Sequence, residues 1–273
     1  MNEIQRIIFK WYELLELPEE WLPEVRKAAE DFDPSPFERE DSPYAALHAQ
    51  DNKMLCLLYS LYKCEDFFVT ARKRNIPEDI LLASLSEIKR YAVEYNTRTG
   101  KGKIGILQIN WIGKILNGNI YRLGRLEFEI RGALHGAEKF GLSEGDPIIA
   151  VHIPDNGGPF NEETCAEAYR LCEEFFPRYF PEYSYEYYTC NSWLMDRTLK
   201  QFLRPTSNIA KFMDTFEVTE KKESLDALTY LFGRGTTVED LKTITPVTGL
   251  QKSVREHVLN GGKLYSAFGV RKK

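Results

Sequence analysis

The sequence predicts an α+β chain, with an all-helical N-terminal domain over residues 1–98 and a mixed β-sheet domain flanked by helices over 99–273. Three observations carry this. Over the first 98 residues apolar side chains recur only at helical spacing. From Asn119 to Ile130 the pattern changes to alternation, with Leu126, Phe128 and Ile130 on one face and Arg125, Glu127 and Glu129 on the other. From Ile148 to Phe176 a short apolar run, a proline- and glycine-containing breaker and an amphipathic stretch follow one another as strand, loop and helix.

The helical half reads in order. Ile4, Ile7, Ile8, Trp11 and Leu15 form one stripe, and a second helix over residues 18–32 begins with Trp21 and Leu22. DPSPFEREDSP, Asp33 to Pro43, is predicted to be a loop. A longer helix places Leu55, Leu58, Tyr59 and Tyr62 inward. Another opens at Pro77, Glu78 and Asp79, whose proline and acids suit a first turn, and carries the stripe Leu81, Leu85, Ile88 and Ala92. No chemistry-bearing cluster stands out here, and His48 is a lone histidine. TRTGKGK, Thr97 to Lys103, reads as a basic hinge, either a solvated linker or a phosphate contact.

Ile104–Ile109 is predicted as a strand. Asn110 would then cap a short helix with Trp111, Ile112, Ile115 and Leu116, closed by Gly118, and a hairpin at Asn117-Gly118 is the competing reading. NIYRLGRLEFEI, Asn119 to Ile130, is predicted as one strand in which Gly124 marks a bulge or a close approach. A turn-rich connection carrying His135 leads to the strand Ile148–His152. Later elements are a strand over Tyr183–Trp193, a helix from Arg197, the segment SNIAKFMDTF, a strand over Ala227–Phe232, a helix over Leu250–Asn260 closed by Gly261 and Gly262, and a last strand over Lys263–Val270.

Composition narrows the function. A formal net charge of −5 disfavours a nucleic-acid partner. No apolar run approaches the roughly 20 residues of a membrane helix, so no membrane partner is expected, and the acid-interrupted N-terminus lacks a signal-peptide layout. Five cysteines (Cys56, Cys64, Cys165, Cys172, Cys190) without metal-type pairing predict reduced thiols in a cytoplasmic protein, and no metal.

The strand–loop–helix unit is the strongest local signal for a site. Pro154 to Pro159 encloses Asn156, Gly157 and Gly158. Asn161 suits an N-cap, and Glu162 and Glu163 suit the first turn. Unpaired N–H groups would gather at one spot, which favours a phosphate or carboxylate, the alternative being water and the Asn161 cap.

Four stretches carry a resemblance: YRLGRLEFE (Tyr121–Glu129), HIPDNGGPF (His152–Phe160), CNSWLMD (Cys190–Asp196) and SNIAKF (Ser207–Phe212). Together they resemble a two-domain bacterial acyltransferase family with a helical N-terminal domain and a GNAT-like C-terminal domain. The resemblance implies a sheet splayed between two strands, here Ile148–His152 and Tyr185–Trp193, and acyl-CoA (acetyl-CoA or another) as co-substrate. It implies a pantetheine arm pairing with strand edge at Val151 and Ile153. Pyrophosphate would lie against Asn156, Gly157, Gly158, Phe160 and Asn161, with Asn208 opening the N-x-x-A segment. The loop DNGGPF departs from the usual Q/R-x-x-G-x-G/A pattern, and Phe212, Met213 and Asp214 offer no tyrosine hydroxyl.

Acyl transfer to an amine, the expected acceptor being a small molecule or peptide, needs a base, a stabilised carbonyl oxygen and a protonated leaving thiolate. His152 at the strand end and Glu127 are candidate bases. Cys190 and Ser192 could protonate the thiolate or hold the acyl oxygen, Asn191 could orient substrate, and Tyr185, Tyr187 and Tyr188 could wall an acyl pocket. Two alternatives stand beside this reading: Cys190 as nucleophile with His152 as base and Glu127 orienting it, and a non-catalytic binding or scaffold module.

Overall fold

The computed structural model describes residues 1–99, 102–134 and 137–273. His135, and Gly100 and Lys101 of the expected hinge, lie outside the described residues. The chain divides into two compact units, Met1–Arg122 and Leu123–Lys273.

The first unit is helical, as the apolar spacing predicts. Its helices are α1 (Glu3–Leu14), α2 (Leu22–Glu30), α3 (Ser35–Glu38), α4 (Pro43–His48), α5 (Lys53–Lys73), α6 (Glu78–Thr99) and α7 (Ile109–Leu116). Their core is built on α5, whose Leu57, Leu58, Tyr59 and Leu61 are buried together with Trp11 of α1 and Leu81, Leu85 and Ile88 of α6. Glu87 is fully buried, yet Arg90 meets it at 2.6 Å and Arg122 at 3.5 Å, so its charge is compensated. Two expectations change. The loop from Asp33 to Pro43 contains the one-turn α3, and its Pro43 starts α4, because proline fits a first helical turn where no N–H partner is needed. Residues 104–108 form no strand: Ile106 N–H donates to the carbonyl of Lys53 at 3.1 Å, and a Cβ on Gly105 would lie 2.5 Å from that backbone. The helix after it forms as expected, but its N-cap is Gln108 rather than Asn110.

The division between units falls in β1 (Ile120–Leu123). The predicted single strand to Ile130 is two strands, because Gly124, at φ +63°, turns the chain into β2 (Leu126–Gly132). The second unit continues with β3 (Pro147–His152), α8 (Glu162–Tyr179), β4 (Tyr187–Ser192), α9 (Asn208–Asp214), β5 (Glu217–Glu223), α10 (Asp226–Phe232), α11 (Gly249–Leu259) and β6 (Tyr265–Lys272). Its sheet runs β2-β3-β4-β6-β5; β3 and β4 are parallel and the other neighbours antiparallel. This is the mixed sheet flanked by helices that the sequence predicts.

One expectation fails near the end, and one strand has no counterpart in it. Ala227–Phe232, expected as a strand, is the helix α10, its start held by Ser224 Oγ accepting from the N–H of Asp226 at 3.0 Å. A short apolar run fits either element. The strand is the charged EVTEKKE of β5, which among the described residues pairs only with β6; a sheet edge tolerates such charge and is protected by it.

The two sheet faces bury different clusters. Ile148, Phe268 and Val270 pack with Ala133 and Ala137 on one face, with Phe140 and Tyr187 against them. Phe128 and Tyr188 on the other face meet Tyr169 of α8 at ring distances of 5.7 and 5.0 Å.

Candidate active site

Parallel strands β3 and β4 pair at only two positions, Ile149 with Tyr188 and Ala150 with Thr189. Both strands continue past that point, β3 to His152 and β4 to Ser192. Their outer edges stay engaged, β3 with β2 through Glu127–His152 and β4 with β6 through Ser192–Ala267. The inner edges therefore part after Ala150 and Thr189, and the backbone of Val151 and His152 faces the opening across from Cys190 and Asn191.

The loop after β3 ends on the start of α8. Asn161 is its N-cap: Oδ1 accepts from Thr164 N–H at 2.9 Å, and Thr164 Oγ1 accepts in return from the Asn161 N–H, a capping box. The cap leaves the first-turn N–H groups of Glu162 and Glu163. Among the described residues no group accepts from these or from the N–H of Gly157 and Gly158, both at positive φ. Arg125 fixes the loop, with Nη1 donating to Pro154 O at 2.8 Å and the guanidinium 5.3 Å from the Phe160 ring centroid. Glu162, whose carboxylate would oppose an anion here, is ion-paired with Lys211 of α9. The donor set of amides and a helix start fits a pyrophosphate.

A cavity of about 200 Å³ opens beside that start, lined among others by Asn161, Cys165, Tyr169, Asn208, Lys211 and Arg271. Asn208 is the first residue of α9, which Ser207 caps by accepting from Ala210 N–H at 3.2 Å. Burial raises the Cys165 thiol above its ordinary value, opposed by Arg125 and Arg271. A larger, open cavity of about 770 Å³ lies wholly within the first unit, lined by groups such as Glu38, Asp41, Tyr44 and Asn117. It offers neither a strand edge nor the start of a long helix, so it lacks the parts a CoA thioester needs.

His152 stands opposite Glu127 in the β2–β3 ladder and shares its face. Its partner is nevertheless the diagonal neighbour: Nε2 lies 2.8 Å from Glu129 Oε2, with the histidine side chain 23% exposed and the glutamate 6%. A carboxylate only accepts, so Nε2 is the nitrogen that donates to Glu129. Arg131 approaches the same carboxylate at 3.8 Å. Glu127 is buried on this face as well. Sequence reasoning missed Glu129 as the partner of His152; its place two residues from Glu127 was the available signal.

Cys190 and Ser192 are not brought to His152. Cys190 shares the face of Tyr188, whose ring is 6.3 Å from Phe128, while His152 shares the opposite face with Glu127 and Glu129. Cys190 is 1% exposed, and burial pushes its thiol up to about 12. A nucleophilic cysteine needs thiolate character and access, and this one has neither. Ser192 Oγ accepts from Leu194 N–H at 3.1 Å, capping a 3-10 turn over Trp193–Met195. The tyrosines named as an acyl wall are packed in the core, Tyr185 and Tyr188 under α8 and Tyr187 against Phe140.

Residues 120–271 match the family described as the GNAT-like C-terminal domain. Solved structures with a similar fold include an acyltransferase in complex with decanoyl-CoA and teicoplanin, at TM-score 0.77 and 20% identity over 96% of this chain and 86% of that one. Another is an acyltransferase in complex with decanoyl-CoA, at TM-score 0.75 and 23% identity over 95% and 85%. No curated protein sequence matches the chain.

Proposed function

Since the chain belongs to the GNAT-like C-terminal domain family, we propose that it transfers an acyl group, acetyl or longer, from acyl-CoA to an amine acceptor by direct transfer. The observation that supports this most is the parting of β3 and β4 directly before the loop whose amides gather at the start of α8. In this reading the pantetheine arm pairs with the backbone of Val151 and Ile153, and the pyrophosphate takes the N–H groups of Gly157, Gly158, Glu162 and Glu163. Asn208 and Lys211 flank the arm. The complexes with decanoyl-CoA and teicoplanin held by proteins of this fold favour acyl-CoA as co-substrate and a small-molecule or peptide acceptor.

His152 is the base. As the amine nitrogen attacks the thioester carbon, Nδ1 takes its proton, and the imidazolium so formed is held by Glu129 through Nε2. A carbon–nitrogen bond forms, the carbon–sulfur bond breaks with its electron pair passing to sulfur, and CoA leaves as a thiolate that takes a proton from solvent. Isothermal calorimetry with CoA thioesters from acetyl to decanoyl, followed by thiol release in the presence of amines, tests the reading. Binding in the micromolar range and amine-dependent thiol release are expected. No binding up to millimolar concentration would overturn it and favour the non-catalytic module.

A further inference from the structure

We propose that the open cavity of the helical unit binds an aliphatic polyamine, a chain carrying two or more ammonium groups. The site lies wholly within Met1–Arg122, and its assignment stands apart from the acyl-transfer reading.

The wall of the cavity is aromatic. Tyr59 of α5 and Tyr44 of α4 line it, with their rings edge to face at 5.9 Å, and Phe37 of α3 meets Tyr59 at 5.8 Å. Gly113 of α7 makes room for the Tyr44 ring, since a Cβ there would lie 2.4 Å from it. At about 770 Å³ the cavity has the size of a small-molecule site. Aromatic rings attract an ammonium group that lies over their faces.

Tyr59 supplies the observation that points to a ligand. It is 2% exposed, yet its hydroxyl has no hydrogen-bond partner among the described residues, and it lines the cavity. Phenylalanine would make the same ring contacts without a polar atom to satisfy. Burial, with the Glu38 carboxylate nearby, pushes the Tyr59 phenol up to about 12. It therefore stays neutral, and its oxygen can accept from an ammonium N–H. Burial also raises the Tyr44 phenol.

Charge selects a cation. Glu38, Glu40 and Asp41 line the cavity together with Lys63. Lys63 is engaged by Glu38, at 3.8 Å, and by Asp66. Arg39, between Glu38 and Glu40 in sequence, acts on the Asp33 carboxylate and does not line the cavity. Glu40 and Asp41 form no ion pair among the described residues, so two carboxylates are left over. Carboxylates only accept, and Asn110 and Asn117 add amide oxygens to the lining. A metal ion would need the acids converged on one point, and among the described residues no group of three or more His, Cys, Asp and Glu side chains is so placed. Acids that do not converge, beside aromatic rings, suit ammonium groups spaced along an aliphatic chain.

Calorimetry of the full chain with spermidine at low ionic strength tests this. Saturable binding at one site is expected, weakening as salt rises. Tyr59→Phe should weaken it about 10-fold, the loss of one hydrogen bond to a charged group, with an equal or higher thermal midpoint. The double variant Glu40→Gln/Asp41→Asn should weaken it about 3–10-fold, the scale of two exposed ion pairs. Propylamine, with a single charge, should bind more weakly than spermidine. No saturable binding up to millimolar concentration would overturn the proposal. So would an affinity unchanged in both variants, which marks condensation on an acidic surface, or propylamine binding as tightly as spermidine. A chain that turns over no thioester would leave this inference standing, because its readout is amine binding alone.

Discussion

Replacing Glu129 with glutamine removes one negative charge from beside His152 and little else. The carboxylate is 6% exposed and lies 2.8 Å from Nε2. Screening by solvent is therefore weak, and the bond is charge-assisted once His152 takes a proton. Such bonds contribute about 1.5–3 kcal/mol, and a glutamine oxygen recovers part of that as a neutral acceptor. Arg131, 3.8 Å from the same carboxylate, also loses its partner and leaves a positive charge near the imidazolium. A net loss of about 2 kcal/mol at the transition state corresponds to a fall in kcat of about 30-fold. Steady-state thiol release for Glu129→Gln, His152→Ala and the double variant measures this. Because Glu129 acts through His152, the double variant should be no slower than His152→Ala, whose loss should fall on kcat more than on thioester affinity. Independent, multiplying losses, or full turnover in Glu129→Gln, would refute the reasoning.

Other expected outcomes follow from the same geometry. Asn161→Ala removes the capping box of α8 and should cost about 1 kcal/mol in chemical denaturation, while raising KM for acyl-CoA; unchanged KM would detach the helix start from the pyrophosphate. Lys211→Ala exposes the Glu162 carboxylate at that start and should raise KM about 3–10-fold by unscreened repulsion, with Glu162→Gln restoring it in the double variant. Burial pushes the Cys56 thiol to about 11 and those of Cys172 and Cys190 to about 12. These folded values lie above the unfolded one near 8.5, so the stabilisation is fully present below about pH 8.5 and is lost as pH climbs toward the folded values, on the order of 1–2 kcal/mol per cysteine by pH 10. Urea melts at pH 8, 9 and 10 should show stability falling across the series, and a flat series would contradict the burial of these thiols.

The unit from β3 to α8 was legible because each part has a local cause: an apolar run, two glycines between prolines, and an asparagine whose side chain caps the turn that follows. What lay beyond the sequence depended on register and on absences. Alternation put Glu127 and Glu129 on one face, but only the ladder shows that His152 meets the diagonal residue. The hold of Arg125 on the Pro154 carbonyl joins residues 29 apart in the chain and has no local signature. The β5 edge carries three acids and two lysines in seven residues and gives no apolar signal, while the apolar run after it is a helix.

The account depends on the pantetheine arm entering where β3 and β4 separate. A crystal structure with a non-hydrolysable acyl-CoA tests that most directly. The arm should lie between Val151–Ile153 and Cys190–Asn191, with its pyrophosphate on the amides of Gly157, Gly158, Glu162 and Glu163. Acyl-CoA bound elsewhere, with β3 and β4 unoccupied between them, would contradict it.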